Sequence, residues 1–301
     1  SASTNGTVTV DTENNNDDTT LILSQTENAV HGTCVYCLGE CRKLLDLTIE
    51  KQLQQLINQP TPYPLDLSAT HVSRSISRQV GDLLTVFKQA LSVIPDDVSD
   101  DCYTGNVMGK IIKPLLESCK ITAQPLAPED AAVFLLNNIA IIRIELQMAC
   151  VDNSSSNPVC TPWLNLLTEE SQTYISAVAK EESEKILRRS DLDKLVTLVE
   201  EIPAGVNLAS QSGLDLERVC AVFRAFYASL FSTVAPLLER LQDPTYREEV
   251  RKRTAELVAQ AHTTMYTRIC DSSSGYAKEN IEVMLVHTPG EVRVLLNCSD
   301  N

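Results

Sequence analysis

Four groups with an affinity for soft metals stand close together early in the chain: His31, Cys34, Cys37 and Cys41. Zinc is held tetrahedrally by such ligands, with Zn–S bonds of about 2.3 Å, usually from knuckles and turns. Here the four fall at the start of a helical-looking stretch, where the ten steps from His31 to Cys41 rise roughly 15 Å. One ion cannot gather them, so they read as a helix face of small apolar thiols. A second candidate, Gly105-Asn-Val-Met-Gly109-Lys110, imitates a phosphate loop. It is one residue too short, no strand precedes it, and Ile111 stands where Ser or Thr would hold Mg²⁺. The remaining histidines, His71, His262 and His287, have no Cys, Ser or carboxylate partner in local sequence, and His262 reads as structural.

The carboxylates of Asp96-Asp97-Val98-Ser99-Asp100 match the DDxxD spacing of class I terpenoid synthases. In that chemistry the acids hold Mg²⁺ against a diphosphate. This copy follows Pro95 in an interhelical turn, lacks the second metal-binding cluster, and has few aromatics at hand to shield a carbocation. It reads first as an acidic turn. Patterns for a nucleophile elbow, a zinc protease helix or a dinucleotide loop are absent from the sequence. Arg247, Arg251, Lys252 and Arg253 form a basic patch that reads as a solvated helix face.

The elements that would have to position any of these groups are helices. The 301 residues are 43% hydrophobic, enough for a sizeable core and too much for wholesale disorder. With 25 basic against 40 acidic residues the net charge is −15, which opposes general binding to nucleic acid. Residues 1–28 hold five acids and no Lys or Arg, and read as a disordered polar leader. Helical periodicity then runs over Cys34–Gln59, Ser68–Ile94, Cys102–Lys120 with a bend at Pro114, and Pro128–Cys150. Asp152–Cys160 is the clearest loop, dividing a helical region at 29–157 from another at 158–301.

Beyond it, Thr161-Pro162 is expected to open a helix with Thr161 as cap, and a short helix covers Asp191–Glu201. Val219, Phe223, Phe226, Leu230, Val234, Leu237 and Leu241 form one apolar stripe on a long helix. Asp243-Pro244 caps the next helix, expected to lie antiparallel to the stripe and to end near Cys270. Thr288-Pro-Gly-Glu291 makes a capping box for the last. Strand alternation is absent, and the class is all-α, an elongated array of antiparallel bundles. Ala131–Ala149 is the most apolar segment, yet its Asn137, Asn138, Arg143, Glu145 and Gln147 suit a central bundle helix and not a membrane span. No secretory signal is visible, the first residue is Ser, and the chain reads as a fragment. Its ten cysteines, mostly within helical stretches, read as ten reduced thiols. The triplets at Asn5, Asn153 and Asn297 are glycan acceptors only if the chain is secreted.

Ile112-Lys-Pro-Leu-Leu-Glu-Ser-Cys119 and Asp130-Ala-Ala-Val-Phe-Leu-Leu-Asn-Asn138 resemble segments from the C-terminal half of the sixth subunit of the conserved oligomeric Golgi complex. So do Thr254-Ala-Glu-Leu-Val258, Tyr266, Gly275-Tyr276 and Thr288-Pro-Gly-Glu-Val-Arg-Val-Leu-Leu296. The likeness covers about residues 100–298 and thins before residue 70; the N-terminal region through which such subunits assemble has no counterpart in this sequence. The resemblance implies helical-rod architecture and a peripheral protein on the cytosolic face of the Golgi membrane. It further implies vesicle tethering in intra-Golgi retrograde transport, support for retention of Golgi enzymes, and, as partners, the other subunits with SNARE and trafficking proteins. It implies no catalytic, cofactor-binding or metal-binding residues, no cofactor, no nucleic-acid partner and no transmembrane segment. The competing readings are another all-α tether or adaptor scaffold, and a Mg²⁺-dependent prenyl-chain enzyme working through Asp96, Asp97 and Asp100.

Overall fold

The computed structural model describes residues 16–58, 62–91, 101–150, 160–230 and 236–298. Among them there are eleven helices and no strand. In order these are α1 (Asn16–Asn58), α2 (His71–Leu91), α3 (Asp101–Ala123), α4 (Pro128–Cys150), α5 (Thr161–Arg189), α6 (Leu192–Glu201), α7 (Leu216–Leu230), α8 (Pro236–Arg240), α9 (Pro244–Cys270), α10 (Lys278–Met284) and α11 (Pro289–Leu295). The all-α class expected from periodicity is the one observed. The chain forms two compact units, residues 1–55 and 56–301. The loop read as a domain boundary lies, from 151 to 159, outside the described residues.

Proline sets several helix starts, because its missing N–H costs nothing in the first turn. It is the first residue of α4, α9 and α11 and the second of α5. At α9 the Asp243 carboxylate accepts from Thr245 N at 2.7 Å and Tyr246 N at 3.2 Å. At α11 the expected box is complete: Thr288 Oγ1 accepts from Glu291 N, and Thr288 N donates to the Glu291 carboxylate at 2.8 Å. Thr161 departs from expectation. It lies within α5, and the cap position falls to Cys160, whose side chain makes no capping bond. α1 also begins earlier than expected, at Asn16. No proline interrupts the sequence before Pro60. Helix α10 was not expected at all; its N-cap is Ala277, which offers no capping side chain to signal a start.

Within the larger unit α4 is central, touching α2, α3, α5 and α8. Residues 132–140 of α4 are buried without interruption, as a helix enclosed on all sides requires. Phe134, Leu136, Ile139, Ile142 and Leu146 of α4 are buried, as are Met108, Ile112 and Leu115 of α3, which packs against α4. By length and composition Pro128–Ala149 would suit a membrane span; its helical neighbours give it another environment. A further core cluster joins Leu192, Leu195 and Val199 of α6 to Val219, Phe223 and Phe226 of α7, Val258, Met265 and Ile269 of α9, and Val292 of α11.

The stripe expected on one long helix is buried at Val219, Phe223, Phe226 and Leu230 on α7, at Leu237 on α8 and at Leu241 beyond α8, while Val234 falls in 231–235, outside the described residues. The stripe does meet α9, at His262, but within a multi-helix arrangement and not as a simple two-helix hairpin. α9 lies mainly along α5, and α7 packs on α5, α6 and α10. A short connection fixes neighbours in sequence, but the widest apolar face decides the packing partner.

Candidate functional site

The groups with suggestive chemistry are not brought together. His31, Cys34, Cys37 and Cys41 all lie exposed on α1, with the three thiols free. Asp96, Asp97 and Asp100 fall outside the described residues. The imitation phosphate loop is part of α3, so its backbone belongs to a helix and not to an anion cradle. Gly109 has another reason to be small: a Cβ there would meet the Trp163 ring at 2.8 Å. The basic patch is largely engaged within the protein. Arg247 donates to Leu241 O at 2.6 Å, Arg251 pairs with Glu248, and Arg253 reaches Glu249, Gln172 and Ser176. Among the described residues no group of three or more His, Cys, Asp or Glu could hold a metal ion.

Two buried polar centres stand out instead. In the first, α4 clasps the segment that leads into α9. From its first turn, Asp130 Oδ1 accepts from Arg240 Nη1 at 2.6 Å. Asn137 Nδ2 donates to Leu67 O at 2.9 Å and to Arg240 O at 3.0 Å, and its Oδ1 accepts from Gln242 N at 2.8 Å. Arg143 Nη2 bonds the Asp243 carboxylate at 2.9 Å, and its guanidinium lies 4.5 Å from the centre of the Tyr246 ring. Asn138 completes the clasp, accepting from Thr70 N at 3.2 Å. Leu67, held by Asn137, is buried with φ of +57°, a conformation that costs a branched side chain of order 1 kcal/mol or more. Asn137 thus uses both amide donors and its acceptor, meeting the demand that buried polar groups be paired.

The second centre is His262 on α9, which is fully buried. Phe226 stacks on its ring at 5.7 Å, and Phe223 meets it edge-on at 5.9 Å. Its Nε2 lies 3.1 Å from the Tyr227 hydroxyl, whereas Nδ1 has no partner. Burial, assisted by nearby His287, lowers the His262 pKa to about 4, and burial pushes the Tyr227 hydroxyl up to about 12. Both are neutral at neutral pH. Among the described residues no carboxylate bonds the imidazole, and the pair is a packed hydrogen bond between two neutral groups.

On the surface, α5 and α9 border a groove of about 500 Å³ lined by Ser176, Ala179, Lys180, Arg253, Glu256, Leu257 and Gln260. Along α5 two i,i+4 pairs line the surface, with Lys185 Nζ 3.9 Å from Glu181 and Arg188 bonded to Glu184. Sequence reading missed buried Glu182, 3.5 Å from Lys185, whose carboxyl is pushed up by burial. It also missed the role of Gly275. With φ of +81°, this turn brings Gly275 against Asn207, where a Cβ would lie 2.1 Å from the amide oxygen. The neighbouring Tyr276 hydroxyl donates to Leu214 O.

The expectation of ten reduced thiols fails at Cys160, which is buried and disulfide-bonded. Pairing depends on which thiols the fold brings together, and sequence spacing does not disclose that. Among the described residues, the cysteines at 34, 37, 41, 119, 220 and 270 are free. Cys119 carries a thiol raised to about 11 by burial.

An all-α array of this kind, with its buried polar groups spent on holding helices to one another, defines a helical scaffold. The chain belongs to the family described as conserved oligomeric Golgi complex subunit 6, C-terminal, which matches residues 23–296. Relatives named conserved oligomeric Golgi complex subunit 6 include those of Rattus norvegicus, 23% identical over 230 residues, and Homo sapiens, 23% over 210. These alignments take in 73% and 68% of this chain but 33% and 30% of the relatives. The Dictyostelium discoideum protein of that name is 22% identical over 267 residues, 86% of this chain and 38% of its own. The chain therefore spans about a third of the length of these curated relatives. No solved structure matches.

Proposed function

We propose that this chain works as part of a subunit of the conserved oligomeric Golgi complex, tethering vesicles in intra-Golgi retrograde transport and so supporting retention of Golgi enzymes. The observation that carries this reading is a family match that spans residues 23–296. The helical architecture is compatible with it: long packed helices present broad faces, which suit protein–protein contact better than catalysis. The partners are the other subunits of that complex, together with SNARE and other trafficking proteins. The location is the cytosolic face of the Golgi membrane, as a peripheral protein. No reaction and no cofactor is assigned.

The test is co-purification of the full-length protein with its companion subunits from cell extract. Recovery of those subunits in fixed proportion is the expected result. In cells depleted of the protein, glycosylation enzymes leave their normal Golgi position and return when it is restored. A full-length protein that purifies without the other subunits, and whose depletion leaves those enzymes in place, overturns the reading.

A further inference from the structure

The thiols of α1 form an arrangement that neither the scaffold nor the family match uses. Cys34, Cys37 and Cys41 are free and exposed. At about 100° per residue they share an arc of roughly 60° and span roughly 10 Å along the axis. Val30 and Leu44, 63% and 64% exposed, extend the same arc at either end. Leu47 and Tyr36 add exposed apolar surface on a neighbouring flank. The chain as a whole is strongly acidic, yet residues 28–48 carry Arg42 and Lys43 against Glu40 and Asp46 and are neutral. Among the described residues, this stretch combines a thiol cluster with freedom from the negative charge that would repel an anionic leaflet.

We propose that Cys34, Cys37 and Cys41 are sites of S-acylation, by which α1 is fastened to a membrane surface. The donor is a long-chain acyl-coenzyme A, and a membrane-embedded protein acyltransferase delivers the chain. The cysteine sulfur attacks the thioester carbonyl, forming a new sulfur–carbonyl bond. The bond from that carbonyl to coenzyme A sulfur breaks, and the cysteine proton ends on the departing coenzyme A thiol. No redox change occurs, and a thioesterase reverses the modification with water. One acyl chain gives only marginal, reversible binding, whereas two give a stable anchor. Three thiols on one face allow that second chain while keeping both chains pointed the same way. Buried Cys119 and disulfide-bonded Cys160 are closed to this chemistry, and exposed Cys270 stands alone on α9. The inference rests on the Golgi reading only for the compartment in which the acyltransferase is met.

The test uses the full-length protein expressed in cells. Thioesters are cleaved with hydroxylamine, and the released thiols are labelled with a mass tag. The parent should show hydroxylamine-dependent tags, and the triple variant Cys34→Ser/Cys37→Ser/Cys41→Ser should lose them, while Cys270→Ser keeps them. The triple variant should also lose about tenfold or more of its salt-resistant membrane fraction, as expected when two chains are removed. Its thermal midpoint should not move, since the three side chains are exposed. Absence of tags in the parent, or tags that persist in the triple variant, overturns the proposal. So does a parent that instead runs as a dimer linked through these cysteines. Co-purification with the companion subunits is read on the same extracts. Tags without companions would sink the complex assignment alone, and companions without tags would sink the acylation alone.

Discussion

The clasp on α4 and the aromatic nest around His262 are both buried, and they handle polarity in opposite ways. Asn137 spends every amide hydrogen and its oxygen on backbone groups from two distant segments. His262 has one nitrogen bonded and the other without a partner, and is held chiefly by the rings about it. A satisfied buried polar group contributes specificity and about 1 kcal/mol per bond, whereas an orphaned one costs about 1–3 kcal/mol. The clasp should therefore be intolerant of losing its polar atoms. The nest should tolerate losing the imidazole nitrogens but not its volume.

The largest effect is expected in the nest, from volume. Phe226→Ala removes a fully buried ring and should lower stability by about 3–5 kcal/mol in a denaturant titration. In cells this should appear as reduced protein level, because it takes a large share of a typical domain's stability. A loss below about 1 kcal/mol would mean that the α7 stripe is not core.

Asn137→Ala comes next. It leaves Leu67 O, Arg240 O and Gln242 N without their partner, for an expected loss of about 3 kcal/mol. His262→Phe, which keeps the ring packing and leaves the Tyr227 hydroxyl its backbone contact at His287, should stay within about 1 kcal/mol of the parent. Equal losses in these two variants would erase the distinction drawn between the centres.

The third prediction concerns acid. His262 has a pKa of about 4 when folded, against 6.5 as its ordinary value. The unfolded state binds the proton more readily between these limits, so stability falls as pH falls through that window and is unaffected above it. From pH 6.5 to 5 the loss should be about 1.5 kcal/mol, because the slope is half of 1.36 kcal/mol per unit at pH 6.5 and nears that value below it. Unfolding midpoints measured across this range should slope for the parent and flatten for His262→Phe. An unchanged slope in the variant would assign the acid sensitivity to other groups.

The smallest effect is expected on the α5 surface. Glu181→Ala removes a carboxylate that lies 3.9 Å from Lys185 in a partly exposed pair, and should cost a few tenths of a kcal/mol. A loss above about 1 kcal/mol would show that the charge network there is not ordinary solvated surface.

How much of this was legible follows from whether a signal is local. Pro128, Pro244 and Pro289 mark helix starts in the sequence and do so in the structure, as do the Asp243 cap and the Thr288 box. The polar residues of α4 were recognisable as marks of a central helix, because such groups do not belong in lipid. Their partners were not recognisable. Asn137 bonds backbone atoms 70, 103 and 105 positions away, and Arg143 meets Asp243 at a separation of 100. α10 was missed because a seven-residue helix with an alanine cap has too little periodicity to register. The candidate functional residues were visible as types, the α1 thiols above all. That they are exposed on one face, while Cys160 is bonded, became apparent only once the fold was known.

The reach of Asn137 also sets an order in time. A chain is made from its N-terminus, and domains tend to fold as they emerge. Helix α4 is complete at residue 150, yet two of the atoms its amide bonds belong to residues 240 and 242. Until that segment is synthesised, α4 carries a polar group built for burial with most of its partners missing. Packing around α4 cannot be finished until residues 240 and 242 have emerged, and the larger unit closes as a whole only then.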